Sequence, residues 1–438
     1  MFSGENVFLK KPFVMNEKFL HFIWKHQLFD SLSFVDLSDD HVTVLDPGFP
    51  NEDEGPDFLN ARVKVGNVIW AGNVEIHRNA SDWDHHGHHA SQAYDNVILH
   101  VVRHADKMVY HSDGRKVPTA LMVYDEMLEA NYRLLLETPA EMPCKHNIEK
   151  IEPVILVPWL TRLAVERIEH KMKYFLHLLE KNCFHWEETL YQALARGFGM
   201  NVNALPFEWL AQRLPFTLLA HYRHNKNQLE ALLFGQAGML RDDEGDEYYQ
   251  MLKREYEFLR HKHHLVPLQK HVWKFMRTRP GNFPTVRIAQ LADVIYRNPF
   301  LFSSLVEEGN RERMCAVLAA TASSYWDTHY VFSMPSRQKQ PKIFSVSSVH
   351  NVIVNVVVPF LFLYAHQKDL PSVKEKAIAL LEDIPPEKNK IVKKFTEAGV
   401  VPANAMESQA LIELNKKYCA LKRCLDCSIG TRIIVGCE

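Results

Sequence analysis

The sequence predicts an α+β protein in which a sheet-bearing first domain, residues 1–145, precedes a mostly helical domain, residues 146–438, with a cysteine-containing segment near its end. Three observations predict it. Apolar and polar residues alternate with period two in several short runs between His41 and Tyr124, the pattern of half-buried strands. From Leu160 onward the apolar residues recur at helical spacing instead. Between the two regions Pro143, Pro153 and Pro158 break the chain, and they mark a boundary.

The first element is an amphipathic helix over residues 15–29, with Phe19, Phe22, Ile23, His26 and Leu28 at near-helical spacing and Asn16 as its cap. HVTVLD, residues 41–46, is a strand stopped by Pro47-Gly48. FLNARVKV, residues 58–65, alternates cleanly, and VIWAGNVEIH, residues 68–77, resumes after Gly66-Asn67, so the pair forms a hairpin. A polar, histidine-rich stretch then runs to Tyr94 as a helix or an irregular loop. NVILHVV, residues 96–102, is a strongly apolar strand, and residues 119–124 form another. Helices are expected over 160–180, 186–197, 207–213, 228–240, 246–261, 373–381 and 390–398, the last capped by Asn389 and stopped by Gly399.

A chain of 438 residues is longer than the roughly 250–300 residues over which one core keeps growing, so more than one domain is expected. The formal charge of −2 excludes a broadly basic coat for nucleic acid and leaves room for a local basic groove. The first twenty residues lack the apolar core of a secretory signal. The longest apolar run, residues 352–364, is shorter than the roughly 20 residues that span a bilayer, and it is expected to be a buried helix. Seven cysteines without such a signal point to reduced thiols in the cytoplasm, with no membrane association.

The chemistry concentrates in Asp57, Glu75 and His77. Antiparallel pairing of their two strands brings Asp57 beside Glu75, and two neighbouring carboxylates repel until a hard divalent cation relieves them. Mg or Mn held there would activate water and neutralise charge on a phosphodiester. His77, two residues after Glu75 on the same strand face, is a further ligand, a water-orienting group or a general base.

Pro56-Asp57, the triplet Glu75-Ile76-His77 and the αβββαβ order over residues 16–123 resemble the restriction-endonuclease-like PD-(D/E)xK nucleases. The resemblance implies a restriction-endonuclease-like fold, with Asp57 as first metal ligand and Glu75 as second. The chain departs from the signature at its lysine, where His77 stands, and a histidine supplies that positive charge only when protonated. A second resemblance covers most of the chain. GPDFLNA, GNVEIH, SDW, YDNVILHVV, ALLFGQAG, RPGNFPTVR and CALKRCLDCSIG are similar to an uncharacterised family of bacterial hypothetical proteins, a domain of unknown function. It implies no activity.

Three further groups of residues carry possible chemistry. His85, His86, His88 and His89 include pairs at i,i+3 and i,i+4, which on a helix share a face. His86 and His88 are alternative metal ligands, with Asp82 and Asp84 nearby, and the plainer reading is a solvated segment. His100, within its apolar strand, reads as a core histidine. Residues 253–287 hold nine Lys or Arg and two Glu interleaved with Trp273, Phe275 and Phe283, a mixture that grips phosphates and stacks bases. Lys274, Arg277, Arg279 and Arg287 are its candidate nucleic-acid contacts. Cys419, Cys424 and Cys427 form C-x4-C-x2-C, and Cys144 or Cys437 would complete four thiolates for Zn or an iron–sulfur cluster; buried reduced thiols are the simpler reading.

Together these readings predict a divalent-metal-dependent phosphodiesterase acting on nucleic acid, or a degenerate form of one. The alternative is a non-catalytic nucleic-acid-binding or scaffold protein. A small-molecule metallohydrolase ranks lower because the chain has no H-E-x-x-H motif.

Overall fold

The computed structural model describes residues 16–31, 34, 40–139, 141–307 and 310–436. Its chain divides into two compact units, one of residues 1–156 with 415–438 and the other of residues 157–414. The boundary expected at 145/146 lies further along the chain. The cysteine-containing segment, expected in the helical domain, packs instead with the first unit: the Asn131 side chain donates to Ile434 O at 3.1 Å and Arg432 pairs with Glu152 at 2.7 Å.

The first unit is built on a six-stranded mixed sheet. Helix α1 (Glu17–Lys25) comes first, and its cap Asn16 accepts the Lys18 N–H at 3.0 Å. It buries Phe19, Ile23 and Trp24, and its Trp24 indole donates to Pro47 O at 3.0 Å. Strands β1 (Val42–Asp46), β2 (Phe49–Pro50), β3 (Phe58–Val65) and β4 (Val68–Asn79) follow. The β3–β4 hairpin turns at Gly66, whose φ of 58° is the left-handed conformation glycine adopts without a Cβ clash. Helix α2 (Asp82–His85) and two 3-10 turns lead into β5 (Val97–His104), and β6 (Thr119–Leu121) and helix α3 (Glu126–Glu137) come next.

The strand order is β1-β3-β4-β5-β6, with β2 also on β3. β1, β3 and β4 are antiparallel neighbours, whereas β4–β5 and β5–β6 are parallel. The near-continuous apolar run of β5 follows from that parallel position, where Val97, Leu99, Val101 and Val102 are all buried. The histidine-rich stretch is the crossover connection that a parallel pair requires.

The second unit is helical around one large core, with only a two-stranded ribbon, His329–Val331 with Met334–Pro335, among its described residues. The helix Pro153–Lys181, which lies in this unit from Val157 onward, begins seven residues before the expected start. Pro153 opens it, where a missing N–H costs nothing, and Pro158 forfeits one internal bond. The helical stretch Val346–Lys368 is long and apolar enough to cross a bilayer, and 67% of its apolar window is buried in the core. A π-helical turn at Ile353–Val357 lies inside it.

Candidate metal centre

Phe58 lies opposite Val74 in the β3–β4 ladder, so Asp57 and Glu75 flank that pair from the two strands. Their carboxylates are held crosswise. The Asp57 N–H donates to Glu75 Oε2 at 3.1 Å, and the Ile76 N–H donates to Asp57 Oδ2 at 2.9 Å. Burial pushes the Glu75 carboxyl above the usual carboxylate range; His88 opposes this and the Asp57 charge adds to it. From α1, His21 Nε2 reaches to 3.3 Å of Asp57 Oδ2. Burial lowers the His21 pKa, but the Asp57 and Glu17 carboxylates outweigh it and hold the imidazole above its ordinary value.

His77 occupies the same face of β4 two residues beyond Glu75. Its Nδ1 lies 2.9 Å from Nε2 of His100, which pairs with Glu75 in the parallel β4–β5 ladder. Its Nε2 lies 3.1 Å from His86 Nδ1 and 3.4 Å from Glu75 Oε1. His88 Nε2 is 3.0 Å from the same Glu75 oxygen. The ligand atoms of His77, His86 and His88 all lie within 4.8 Å of one another.

The crossover connection folds so as to deliver these imidazoles. Asp82 accepts the Asn79 N–H at 3.0 Å and fixes the exit from β4. Trp83 is fully buried, its indole donating to Tyr110 O at 3.0 Å, and its ring meets His88 edge-on at 5.4 Å. Gly87, at φ 78°, reverses the chain between His86 and His88. Tyr94 then stacks on His88 with centroids 3.7 Å apart. His88 is therefore buried, and His86 is left at the solvent edge.

This corrects part of the sequence reading. The histidines do not share one helix face, because α2 ends at His85. Of the four, His88 is no solvated residue, whereas His85 and His89 are exposed beside Asp82 and Asp84 at 3.4 Å. Asp82 and Asp84 fasten the loop, Asp84 to Lys107 as well, and do not join the imidazole cluster. His77 is the residue that stands where a lysine cation is expected. Burial first, then the charges of His100, His88 and His86, depress its pKa to about 3, and burial does the same for His100. A neutral imidazole is a metal donor.

The buried Nε2 of His88 faces Glu75 at 3.0 Å, and the Nε2 of His21 faces Asp57 at 3.3 Å, yet neither has hydrogen-bonding alignment. His77 Nε2 and His86 Nδ1 are within hydrogen-bonding reach of each other, and together with His88 they gather three imidazoles beside Glu75 Oε1. The donor set of one carboxylate and three imidazoles suits a divalent transition metal. His21 carries no signal in the sequence, because a half-exposed histidine on a helix looks like any other; only the packing of α1 on the sheet brings it to Asp57. His100, expected as a core histidine, is buried and also touches the cluster through His77.

The other candidate residues lie elsewhere. In the second unit Lys274, Arg277 and Arg279 are exposed, and Asn203 grips the Lys274 backbone through its N–H at 2.9 Å and its C=O at 2.8 Å. Arg277 and Arg279 line a cavity of about 320 Å³ with Asn203 and Asn282. Arg287 is only 3% exposed: its guanidinium donates to Gln290, Asn282 and Ser348 and lies 4.5 Å over the Phe344 ring. It is a core residue and presents no charge to a nucleic acid. Trp273 is likewise buried, bonded to Ala237 O at 2.8 Å, and does not offer a stacking face. A second acidic group, Glu166, His170 and Glu413, is occupied by an ion-pair network, since Arg167 and His170 both bind Glu413, at 3.1 and 2.6 Å. Cys144, Cys419, Cys424 and Cys427 are all buried in the first unit, and Cys437 lies outside the described residues.

Comparison with known proteins returns no match among the curated proteins. None of the solved structures matches either. A family model described as "Protein of unknown function (DUF2851)" matches residues 17–390, which include α1, the whole sheet and the histidine cluster, and the chain therefore belongs to that family.

Proposed function

We propose that the first unit is the catalytic part of a divalent-metal-dependent phosphodiesterase that acts on nucleic acid. The observation that carries the reading is the convergence of Glu75 Oε1 with ring nitrogens of His77, His86 and His88, with Asp57 held alongside. A nitrogen-rich donor set favours Mn, Zn or Fe over Mg, so of the two ions expected from the carboxylates the reading keeps Mn. Such an ion, when bound, lowers the pKa of a water and offsets charge on a phosphoryl oxygen. Asp57, backed by His21, would accept the proton from that water. His100 orients the His77 ring through Nδ1, the part that an outer partner plays for a ligating histidine. His86, exposed at the edge, marks the side from which a substrate approaches. Lys274, Arg277 and Arg279 would meet backbone phosphates. The restriction-endonuclease-like fold and the cytoplasmic location belong to the same proposal, supported by the strand order and the unpaired cysteines.

The test is hydrolysis of single- and double-stranded DNA and RNA by the full chain loaded with Mn or Zn. The wild type should cut at least one of them, and Glu75→Gln and His88→Ala should not. Metal retention without cleavage of any nucleic acid refutes the nuclease reading. Cleavage of a small phosphodiester alone would then favour the small-molecule metallohydrolase, which the imidazole-rich donor set also supports; no hydrolysis of any kind would favour the scaffold.

A further inference from the structure

We propose that the cavity of the second unit lined by residues 199–203 and 277–282 binds a phosphate monoester, the terminal phosphate of a nucleic-acid strand or of a nucleotide. The cavity holds about 320 Å³, at the small end of the roughly 300–1,000 Å³ of ligand pockets. Arg277 and Arg279 line it, and among the described residues no carboxylate does. Neither guanidinium is taken up by a hydrogen bond or an ion pair within the described residues. Elsewhere in the same unit Arg167, Arg196 and Arg297 are each paired with a carboxylate.

Both walls of the cavity are held in place by bonds within the unit. The first is the reversal between the helices Trp186–Phe198 and Met200–Arg213. A Cβ on Gly199 would come within 2.4 Å of Asn203 O, so only glycine lets the chain fold back there. Asn203, 2% exposed, ties this wall to the other through its two bonds to the Lys274 backbone. In the second wall the Thr278 hydroxyl donates to Phe275 O at 2.6 Å, and the Asn282 N–H donates to Arg279 O at 2.7 Å. That turn, through Pro280-Gly281, brings Asn282 back beside Arg279. Buried Arg287 donates to Asn282 Oδ1 at 2.6 Å, which leaves the side-chain NH2 of Asn282 as the end open to a ligand. Arg287, which presents no charge of its own, thereby positions a neutral donor of the cavity.

These donors match a monoester dianion. Such a phosphate carries a charge of about −1.5 to −2 near neutral pH, which two guanidiniums offset, and its oxygens accept the parallel N–H pairs of an arginine fork. A backbone phosphodiester carries a single charge and continues in two directions, whereas a small cavity suits a chain end. For its natural ligand the inference rests on the nucleic-acid reading. Its chemistry rests on residues of the second unit alone, so it is read by binding and not by hydrolysis.

The full chain, with chelator present so that nothing is cut, is titrated with single-stranded DNA of one sequence that ends in a 5′-phosphate, in a 3′-phosphate or in hydroxyls only, and separately with AMP and adenosine. The wild type should bind one phosphate-ended strand about tenfold more tightly than the hydroxyl-ended one, or, where the source is a free nucleotide, AMP about tenfold more tightly than adenosine. The double variant Arg277→Gln, Arg279→Gln should abolish either preference and leave thermal unfolding unchanged, because both side chains are exposed. A preference for AMP without binding of any strand keeps the cavity and removes the nucleic-acid reading. Failure of the metal-loaded protein to cut nucleic acid removes the nuclease reading and leaves the preference intact. Equal binding with and without the phosphate in every arm, or a preference that survives both substitutions, overturns the proposal.

Discussion

Replacing His100 with glutamine, in chelator-treated protein, should make β5 less sensitive to acid by about 2 kcal/mol between roughly pH 7.5 and 5. The magnitude follows from burial. His100 is fully buried, and its folded pKa of about 3 lies well below the roughly 6.5 of an unfolded histidine. Its contribution to stability is therefore complete above the unfolded value and is lost as the pH falls from there toward the folded one. At about pH 5 the folded imidazole is still neutral while the unfolded one is largely protonated, so about 1.5 pH units at about 1.4 kcal/mol each are lost. Glu75, Glu17 and His21 have raised pKa values and act in the opposite sense, so the wild-type profile alone would not isolate the effect. Subtracting the variant does, since glutamine keeps a polar partner near His77 Nδ1. Hydrogen exchange of peptides over Val97–His104 at both pH values, converted to opening free energies, measures it. An equal pH slope in wild type and variant would refute the argument, because it would mean that folded His100 takes up its proton as readily as the unfolded one.

Four other perturbations probe the two units. Trp83→Ala should cost about 3–5 kcal/mol and strand the Tyr110 carbonyl, visible as a lowered thermal midpoint of the first unit. Asn203→Ala removes both clamps on the Lys274 backbone and should destabilise the second unit by about 1–3 kcal/mol in urea denaturation. Alanine at Lys274, Arg277 and Arg279 should weaken nucleic-acid binding and lower its salt dependence by about 0.9 for each duplex-DNA phosphate left without its cation, with unfolding unchanged. Arg287→Ala should do the reverse, lowering stability and leaving the salt slope as it was.

Much of the first unit was legible locally. Asn16 and the apolar spacing after it mark α1, the Gly66-Asn67 turn marks the hairpin, and that hairpin sets Asp57 against Glu75. What escaped depends on three-dimensional neighbours. His86 and His88 meet His77 because Gly87 reverses the chain over a parallel strand pair, and neither the reversal nor the parallel direction is written in the histidine spacing. Arg287 sits in a basic run that looked solvated, but its helix, Pro284–Arg297, is buried on nearly every side. The return of the segment from Asn415 to the first unit has no local signature, since helical periodicity says which face is buried and not against what.

That return has a consequence for how the protein comes into being. A ribosome that has made α1, the sheet and α3 must still make residues 157–414 before the strand of chain that completes the same unit emerges. At about 5–20 residues per second this takes roughly ten to fifty seconds. Throughout that interval α3 stands without the helix whose Ile434 carbonyl its Asn131 side chain holds. Synthesis that stalls in the helical region therefore leaves a fragment with the sheet in place and its last support missing, which exposes an apolar seam to chaperones and proteases. Full-length translation is thereby coupled to maturation of the first unit.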